Sequence, residues 1–265
     1  MNKIEAAIRE KTNSGSKAFV AYITAGDPDI EATKSYCKAL VEGGVDVIEL
    51  GVPFSDPLAD GPTNQAAAER ALASGTDLTK ILKCVNELRK EGFSTPIVLF
   101  SYLNPIFQMG YEAFAKRAKI SGVDGVLVLD LPVEESSAYI DAMTSQELAT
   151  VFLASPTTSD ARLSLISRST QGFLYYVSRT GVTGEQKELS STLPAELSRV
   201  RNSFDGPIIV GFGISNPDQA KAAAAHGDGI VIGSAIVRMI ASQGDVETSA
   251  ARIKEFSQAV AKALN

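Results

Sequence analysis

Three observations predict an α/β chain folded as a single-domain (β/α)8 TIM barrel with an extra N-terminal helix. Apolar, β-branched-rich runs of strand length recur eight times along the 265 residues. Stretches of helical periodicity separate them, and the runs are continuously apolar rather than alternating. Continuous runs suit parallel strands buried on both faces, and strict strand–helix alternation over this length is the pattern of the closed barrel.

The strand runs lie at 17–23, 45–50, 96–101, 125–129, 149–153, 173–177, 207–210 and 229–232. The helical stretches between them cover 30–42, 65–90, 111–121, 133–144, 159–168, 195–204 and 218–226, each long enough for a crossover. Helices over 3–11 and 246–264 complete the chain. No linker, low-complexity tract or composition break divides it, which predicts one catalytic domain over 1–265. A doubly wound open sheet is the rival, and its nucleotide-binding form carries GxGxxG after the first strand. Here that strand runs into Thr24-Ala25-Gly26-Asp27-Pro28, a turn and a helix start.

Composition removes several function classes. No apolar run is long enough to cross a bilayer, and the first eleven residues are charged and helical in pattern, without a signal-peptide core. A cytoplasmic chain is expected. The net charge of −6 argues against nucleic acid as a partner. Cys37 and Cys84 stand far apart inside helical stretches with no CxxC, which favours structural thiols over a disulfide or a zinc site. The single histidine, His226, sits where a helix ends at Gly227, so a His-rich metal centre is impossible and no metal site is expected.

Catalytic groups in such a barrel come from the C-terminal strand ends and the loops that follow. Two of those loops are long: 51–62, with three prolines and two acids, and 178–191, polar and glycine-containing, which reads as a mobile lid. In Val45-Asp46-Val47-Ile48-Glu49-Leu50 the strand period sets Glu49 on the side of Val47 and Val45. If that side is the lumen, desolvation raises its pKa and suits it to proton transfer. The alternative is a rim carboxylate satisfied by backbone or water. Asp56 and Asp60 read equally as loop caps or solvated acids.

A phosphate site is the second signal. Gly211-Phe212-Gly213-Ile214-Ser215 after the seventh strand allows close backbone approach, and Gly233-Ser234-Ala235-Ile236-Val237 after the eighth opens a short extra helix. Gly184 could close the site. No strand interior holds a lysine, which removes Schiff-base aldol chemistry. What remains is carboxylate acid–base work on a phosphorylated substrate that supplies its own electron sink.

The run Glu49-Leu50-Gly51-Val52-Pro53-Phe54-Ser55-Asp56-Pro57-Leu58-Ala59-Asp60-Gly61-Pro62 resembles the signature of the tryptophan synthase alpha subunit family. Thr24 to Pro28, Tyr102-Leu103-Asn104-Pro105-Ile106, Ser178-Arg179-Thr180-Gly181-Val182-Thr183-Gly184 and the two phosphate segments follow in family order, so the resemblance covers essentially the full chain. It implies a lyase that cleaves indole-3-glycerol phosphate to indole and glyceraldehyde 3-phosphate. It also implies a beta subunit that receives the indole, within an alpha2beta2 heterotetramer. Pyridoxal phosphate is expected in that beta subunit and no cofactor in this chain.

By the same resemblance Glu49 is the acid–base group and Asp60 accepts a hydrogen bond from the indole N–H. Tyr22, Phe100, Tyr102, Leu127, Tyr175 and Phe212 line the substrate site, and Gly184, Gly213, Gly233 and Ser234 hold phosphate. Thr183 closes over the ligand against Asp60. Pro53, Asp56, Asn104, Pro105 and Phe107 match the region that meets the beta subunit. Tyr22 and Phe100 depart from the family's commoner Phe and smaller aliphatic residue. An autonomous lyase, a phosphosugar isomerase and a non-enzymatic scaffold are the rival functions; the aromatic set favours an aromatic substrate.

Overall fold

A computed structural model describes residues 1–178, 192–211, 213–242 and 244–265. Eight strands pair in parallel, each with the next: β1 (Ala18–Thr24), β2 (Val47–Gly51), β3 (Ile97–Ser101), β4 (Gly125–Val128), β5 (Ala149–Ala154), β6 (Leu174–Val177), β7 (Ile208–Gly211) and β8 (Gly229–Ile232). Pairing of β1 with β8 closes the barrel. The two-residue period of each strand divides the core. Phe19, Ala21, Ile48 and Leu50 face outward under the helices, while Val20, Val47, Val98, Leu127 and Val231 fill the lumen.

The extra helix α1 (Lys3–Asn13) starts where Asn2 accepts a hydrogen bond from the Glu5 N–H at 2.9 Å. Its Ile4 and Ile8 are fully buried within the lumen cluster, so α1 plugs the N-terminal mouth of the barrel. The outer ring follows the expected order, beginning with α2 (Ile30–Glu42).

The helix expected over 65–90 is two helices, α3 (Pro62–Ala73) and α4 (Leu78–Lys90). Between them Gly75 takes φ +75°, a left-handed conformation that glycine tolerates, and the Asp77 side chain caps α4 by accepting from the Lys80 N–H at 2.8 Å. The segment after β3, to which the sequence assigns no element, forms α5 (Leu103–Met109) before α6 (Tyr111–Ser121). The stretch expected as one helix over 133–144 is a 3-10 turn, Val133–Glu135, and then α7 (Ser137–Ser145). The remaining helices are α8 (Asp160–Ser169), α9 (Leu193–Arg201), α10 (Pro217–Ala224), α11 (Ser234–Ala241) and α12 (Val246–Leu264). Val45 precedes β2 rather than belonging to it, and packs in the outer layer, not beside Glu49.

Aspartates secure the N-terminal strand ends. Asp46 Oδ2 accepts from the Phe19 N–H at 2.9 Å while its own N–H donates to the Phe19 carbonyl at 2.9 Å. Asp124 repeats the exchange with Ile97, and Asp228 with Ile208. Lys11, Arg89 and Arg201 respectively form ion pairs with the three carboxylates. Cys37 and Cys84 are buried free thiols, both pushed up by desolvation, Cys84 to about 12. His226 is exposed just beyond α10. Among the described residues no helix is long and apolar enough to cross a membrane.

Candidate active site

Glu49 occupies the position that the strand period predicted. Val47, two residues earlier, is in the lumen cluster, and Ile48 and Leu50 on either side are in the outer one. Pairing places Glu49 level with Tyr22 of β1 and Val98 of β3. Its carboxyl is 0% exposed, and neither oxygen has a hydrogen-bond partner among the described residues. The satisfied rim carboxylate is therefore not what the structure contains. Desolvation alone pushes the Glu49 pKa up to about 8, so the group is largely protonated at neutral pH.

Asp60 stands at the end of the loop after β2, two residues ahead of the N-terminal proline of α3. The loop folds on itself, with the Asp60 N–H donating to the Pro57 carbonyl at 3.0 Å. The Tyr102 hydroxyl donates to Asp60 Oδ2 at 2.9 Å and also accepts from the Ala59 N–H at 3.0 Å. Phe54 stacks on the Tyr102 ring at 5.2 Å. Asp60 is neither solvated nor a simple cap, since it is 7% exposed and its side chain takes part in this buried contact. Burial raises its pKa, and hydrogen bonds from Tyr102 and Asn64 pull it back.

The aromatic residues gather around these two carboxyls. Tyr22 packs edge-on against Phe100 with centroids 4.9 Å apart, and its hydroxyl lies 3.2 Å from Thr24 Oγ1. Burial and then the charge of Asp60 raise the Tyr22 pKa; burial and then Glu49 do the same for Tyr175. Both phenols remain neutral. Leu127 is fully buried in the lumen beside this group. Two glycines make room: a Cβ on Gly51 would overlap the Tyr22 ring, and one on Gly211 would overlap the Tyr175 ring.

Where the sequence predicts a phosphate site, Gly233 precedes α11 without any side-chain cap, and the helical ladder begins only with the Val237 N–H donating to the Gly233 carbonyl at 3.0 Å. The first-turn N–H groups of α11, starting at Ser234, thus form the dipole-bearing end suited to an anion. A Cβ on Gly233 would meet the Tyr22 ring at 3.2 Å. Gly213, in the loop after β7, is half-buried. Phe212, Thr183, Gly184 and the expected lid over 178–191, apart from Ser178, lie outside the described residues.

At the rim, Asp56, Asn104 and Phe107 are exposed, Pro105 is half-buried and Pro53 is buried within its own chain. Leu58 is 86% exposed and Phe107 63%, two large apolar side chains turned to solvent. Among the described residues no group of three or more His, Cys, Asp and Glu side chains is arranged to hold a metal. Asn64 is a site residue that the sequence reading missed; the available signal was a polar side chain one helical turn after Asp60, on the face carrying Ala67, Ala68 and Ala71.

A closed barrel with two buried carboxyls at its C-terminal mouth, Glu49 pushed toward its protonated form and Asp60 hydrogen-bonded, has the layout of a (β/α)8 enzyme that works by acid–base chemistry. The profile of the tryptophan synthase alpha chain family matches residues 8–265. The tryptophan synthase alpha chain of Pelobacter propionicus is 47% identical over 239 residues, covering 90% of this chain and 89% of that one. That of Xanthomonas axonopodis pv. citri is 46% identical over 266 residues, covering 100% and 99%. Among solved structures, tryptophan synthase of Mycobacterium tuberculosis superposes with a TM-score of 0.91 at 30% identity, over 99% of this chain and 98% of that one. The alpha subunit from Legionella pneumophila gives 0.88 at 35%, over 100% and 98%. The chain belongs to the tryptophan synthase alpha chain family.

Proposed function

We propose that this lyase cleaves indole-3-glycerol phosphate to indole and glyceraldehyde 3-phosphate with Glu49 as the proton carrier and Asp60 as the electrostatic partner of the indole nitrogen. The observation that carries this reading is the Glu49 carboxyl, buried, without a hydrogen bond among the described residues, and pushed up to a pKa of about 8. A protonated Glu49 donates to indole C3, which leaves an iminium in the five-membered ring. Asp60, ionised and oriented by Tyr102, accepts the N–H hydrogen bond and stabilises that positive charge. The resulting Glu49 carboxylate then takes the proton of the glyceryl hydroxyl. The C–O bond becomes a carbonyl, the bond to C3 breaks and its electron pair neutralises the ring. Indole and aldehyde are formed, and Glu49 ends protonated as it began.

Tyr22, Phe100, Tyr102, Leu127 and Tyr175 bind the indole, with Phe212 alongside. Backbone N–H groups at Gly213, Gly233 and Ser234, with Gly184, bind the phosphate. Thr183 closes on Asp60 as part of a lid over 178–191. Support for an aromatic site is the Tyr22–Phe100 edge contact beside the carboxyls. Support for phosphate at α11 is its uncapped first turn.

The product indole passes to a beta subunit within an alpha2beta2 heterotetramer in the cytoplasm. Pyridoxal phosphate belongs to that subunit, and this chain works with carboxylates alone. Asp56, Asn104, Pro105 and Phe107, with Pro53 supporting the loop from beneath, form the partner-facing rim. Exposed Leu58 and Phe107, large apolar side chains on the segments after β2 and β3, support the rim as the docking face, since burial of such side chains favours association. The test is to incubate the pure protein with indole-3-glycerol phosphate, with and without a beta subunit, and to follow indole. Release that the beta subunit accelerates is expected; no release in either case contradicts the reading.

A further inference from the structure

Two donors from different elements hold Asp60. Tyr102, which precedes α5, takes Oδ2 at 2.9 Å, and Asn64 Nδ2 donates to Oδ1 at 3.3 Å. Asn64 belongs to the first turn of α3, four residues beyond Asp60, and is 7% exposed. The amide is costly where it stands. Its own Oδ1 is buried without a donor among the described residues, and burying an unmatched carbonyl oxygen opposes folding. An apolar side chain of the same size would escape that cost but would take the donor away from Asp60 Oδ1. What the asparagine supplies is therefore its contact to Asp60 rather than packing.

We propose that Asn64 is a positioning residue for the cleavage reaction, locking the Asp60 carboxylate in one orientation and in its ionised form so that it faces the substrate N–H. This rests on the reading of Asp60 given above. An amide N–H donates to an ionised oxygen in preference to a protonated carboxyl, so the contact favours the anion. The groups that face Asp60 from the packed elements are Tyr22 on β1, Tyr175 on β6 and Tyr102 ahead of α5, with Glu49 on β2 in the same lumen. All three phenols stand above their ordinary range, so none becomes a charge that competes for Asp60. Burial pushes the Asp60 carboxyl toward its neutral form; the Tyr102 and Asn64 hydrogen bonds oppose it. Removing one of the two should raise the pH below which Asp60 is protonated and useless as an acceptor.

The experiment compares Asn64→Leu, Asn64→Asp and Asp60→Asn with the parent, measuring kcat and KM for indole-3-glycerol phosphate across the pH range of the folded protein. For Asn64→Leu, kcat/KM should fall about tenfold at neutral pH and the acid limb of its pH profile should move up by about one pH unit. Asn64→Asp is isosteric and should displace the limb further, because adjacent carboxyls resist joint ionisation; it carries the test if the Leu variant does not fold. Inhibition by glycerol phosphate should be unchanged in both. An acid limb that stays in place, whether activity falls uniformly or not at all, overturns the proposal. Asp60→Asn separates the two readings: if it retains parental turnover, the role of Asp60 fails, and if it is inactive while the limb is unmoved in the Asn64 variants, only the role of Asn64 fails.

Discussion

At the N-terminal end of the barrel Asp46, Asp124 and Asp228 each accept a strand N–H and each meet a cation, whereas at the C-terminal end Glu49 is buried with neither oxygen partnered among the described residues. The two ends share strands and differ in how their carboxyls are matched. Satisfied aspartates tie neighbouring strands together and add to the stability of a sheet that apolar side chains bury on both faces. The unsatisfied glutamate weakens it and gains a proton at neutral pH. In a barrel whose reactive face is the C-terminal one, that division lets the chemistry change without the closure changing.

Substitutions at the two ends should separate activity from stability. The largest effect is expected for Glu49→Gln, with turnover lower by about 10²-fold or more and the fold retained. Its stability should respond to pH with a definite sign. Glu49 has a native pKa near 8 against 4.5 for the free group, so the penalty for ionising it is absent below 4.5, grows as pH rises from 4.5 to 8 and levels off above. The Gln variant should match the parent in acid and exceed it in denaturant midpoint at alkaline pH.

Asp124→Ala should do the reverse. It removes the carboxylate from the part-buried Arg89 guanidinium, which keeps the Gly122, Phe93 and Thr95 carbonyls, and leaves the Ile97 N–H without its acceptor, a loss of about 1–3 kcal/mol. A denaturant titration should register that loss while kcat for the folded enzyme stays within about twofold of the parent, because Asp124 lies at the far end of the barrel. Gly211→Ala mixes the two effects. Its new Cβ forces Tyr175 aside, so kcat/KM should drop about tenfold and stability by about 1–3 kcal/mol. The smallest change is expected for Asp228→Asn. The amide oxygen can still accept the Ile208 N–H, and only the half-exposed pair with Arg201 is lost, worth about 0.5 kcal/mol.

Glu49 was legible in the sequence because a strand's period is two and its neighbours Ile48 and Leu50 admit one inward phase for the acid. The strand ladder was legible for the same reason, through runs that both faces bury. The break between α3 and α4 was missed because the buried Ala71 and Leu78, seven residues apart, keep helical phase across it; the better guides were Gly75 and the capping Asp77. The helix α5 was hidden by Pro105, whose presence reads as a breaker although the third helical position tolerates it. The Tyr102 contact to Asp60 could not be read at all. Tyr102 reaches the aspartate across 42 residues, and whether a loop acid is solvated or buried depends on that distant partner.

The most direct measurement is a 13C NMR titration of the glutamate side-chain carboxyls, with the Glu49 signal assigned by its absence from Glu49→Gln. The buried, unpartnered carboxyl should titrate at about 8, well apart from the exposed glutamates. A Glu49 signal that titrates near the ordinary 4.5 would mean that the carboxyl is solvated or paired, and the proton carrier of the reaction would have to be sought elsewhere.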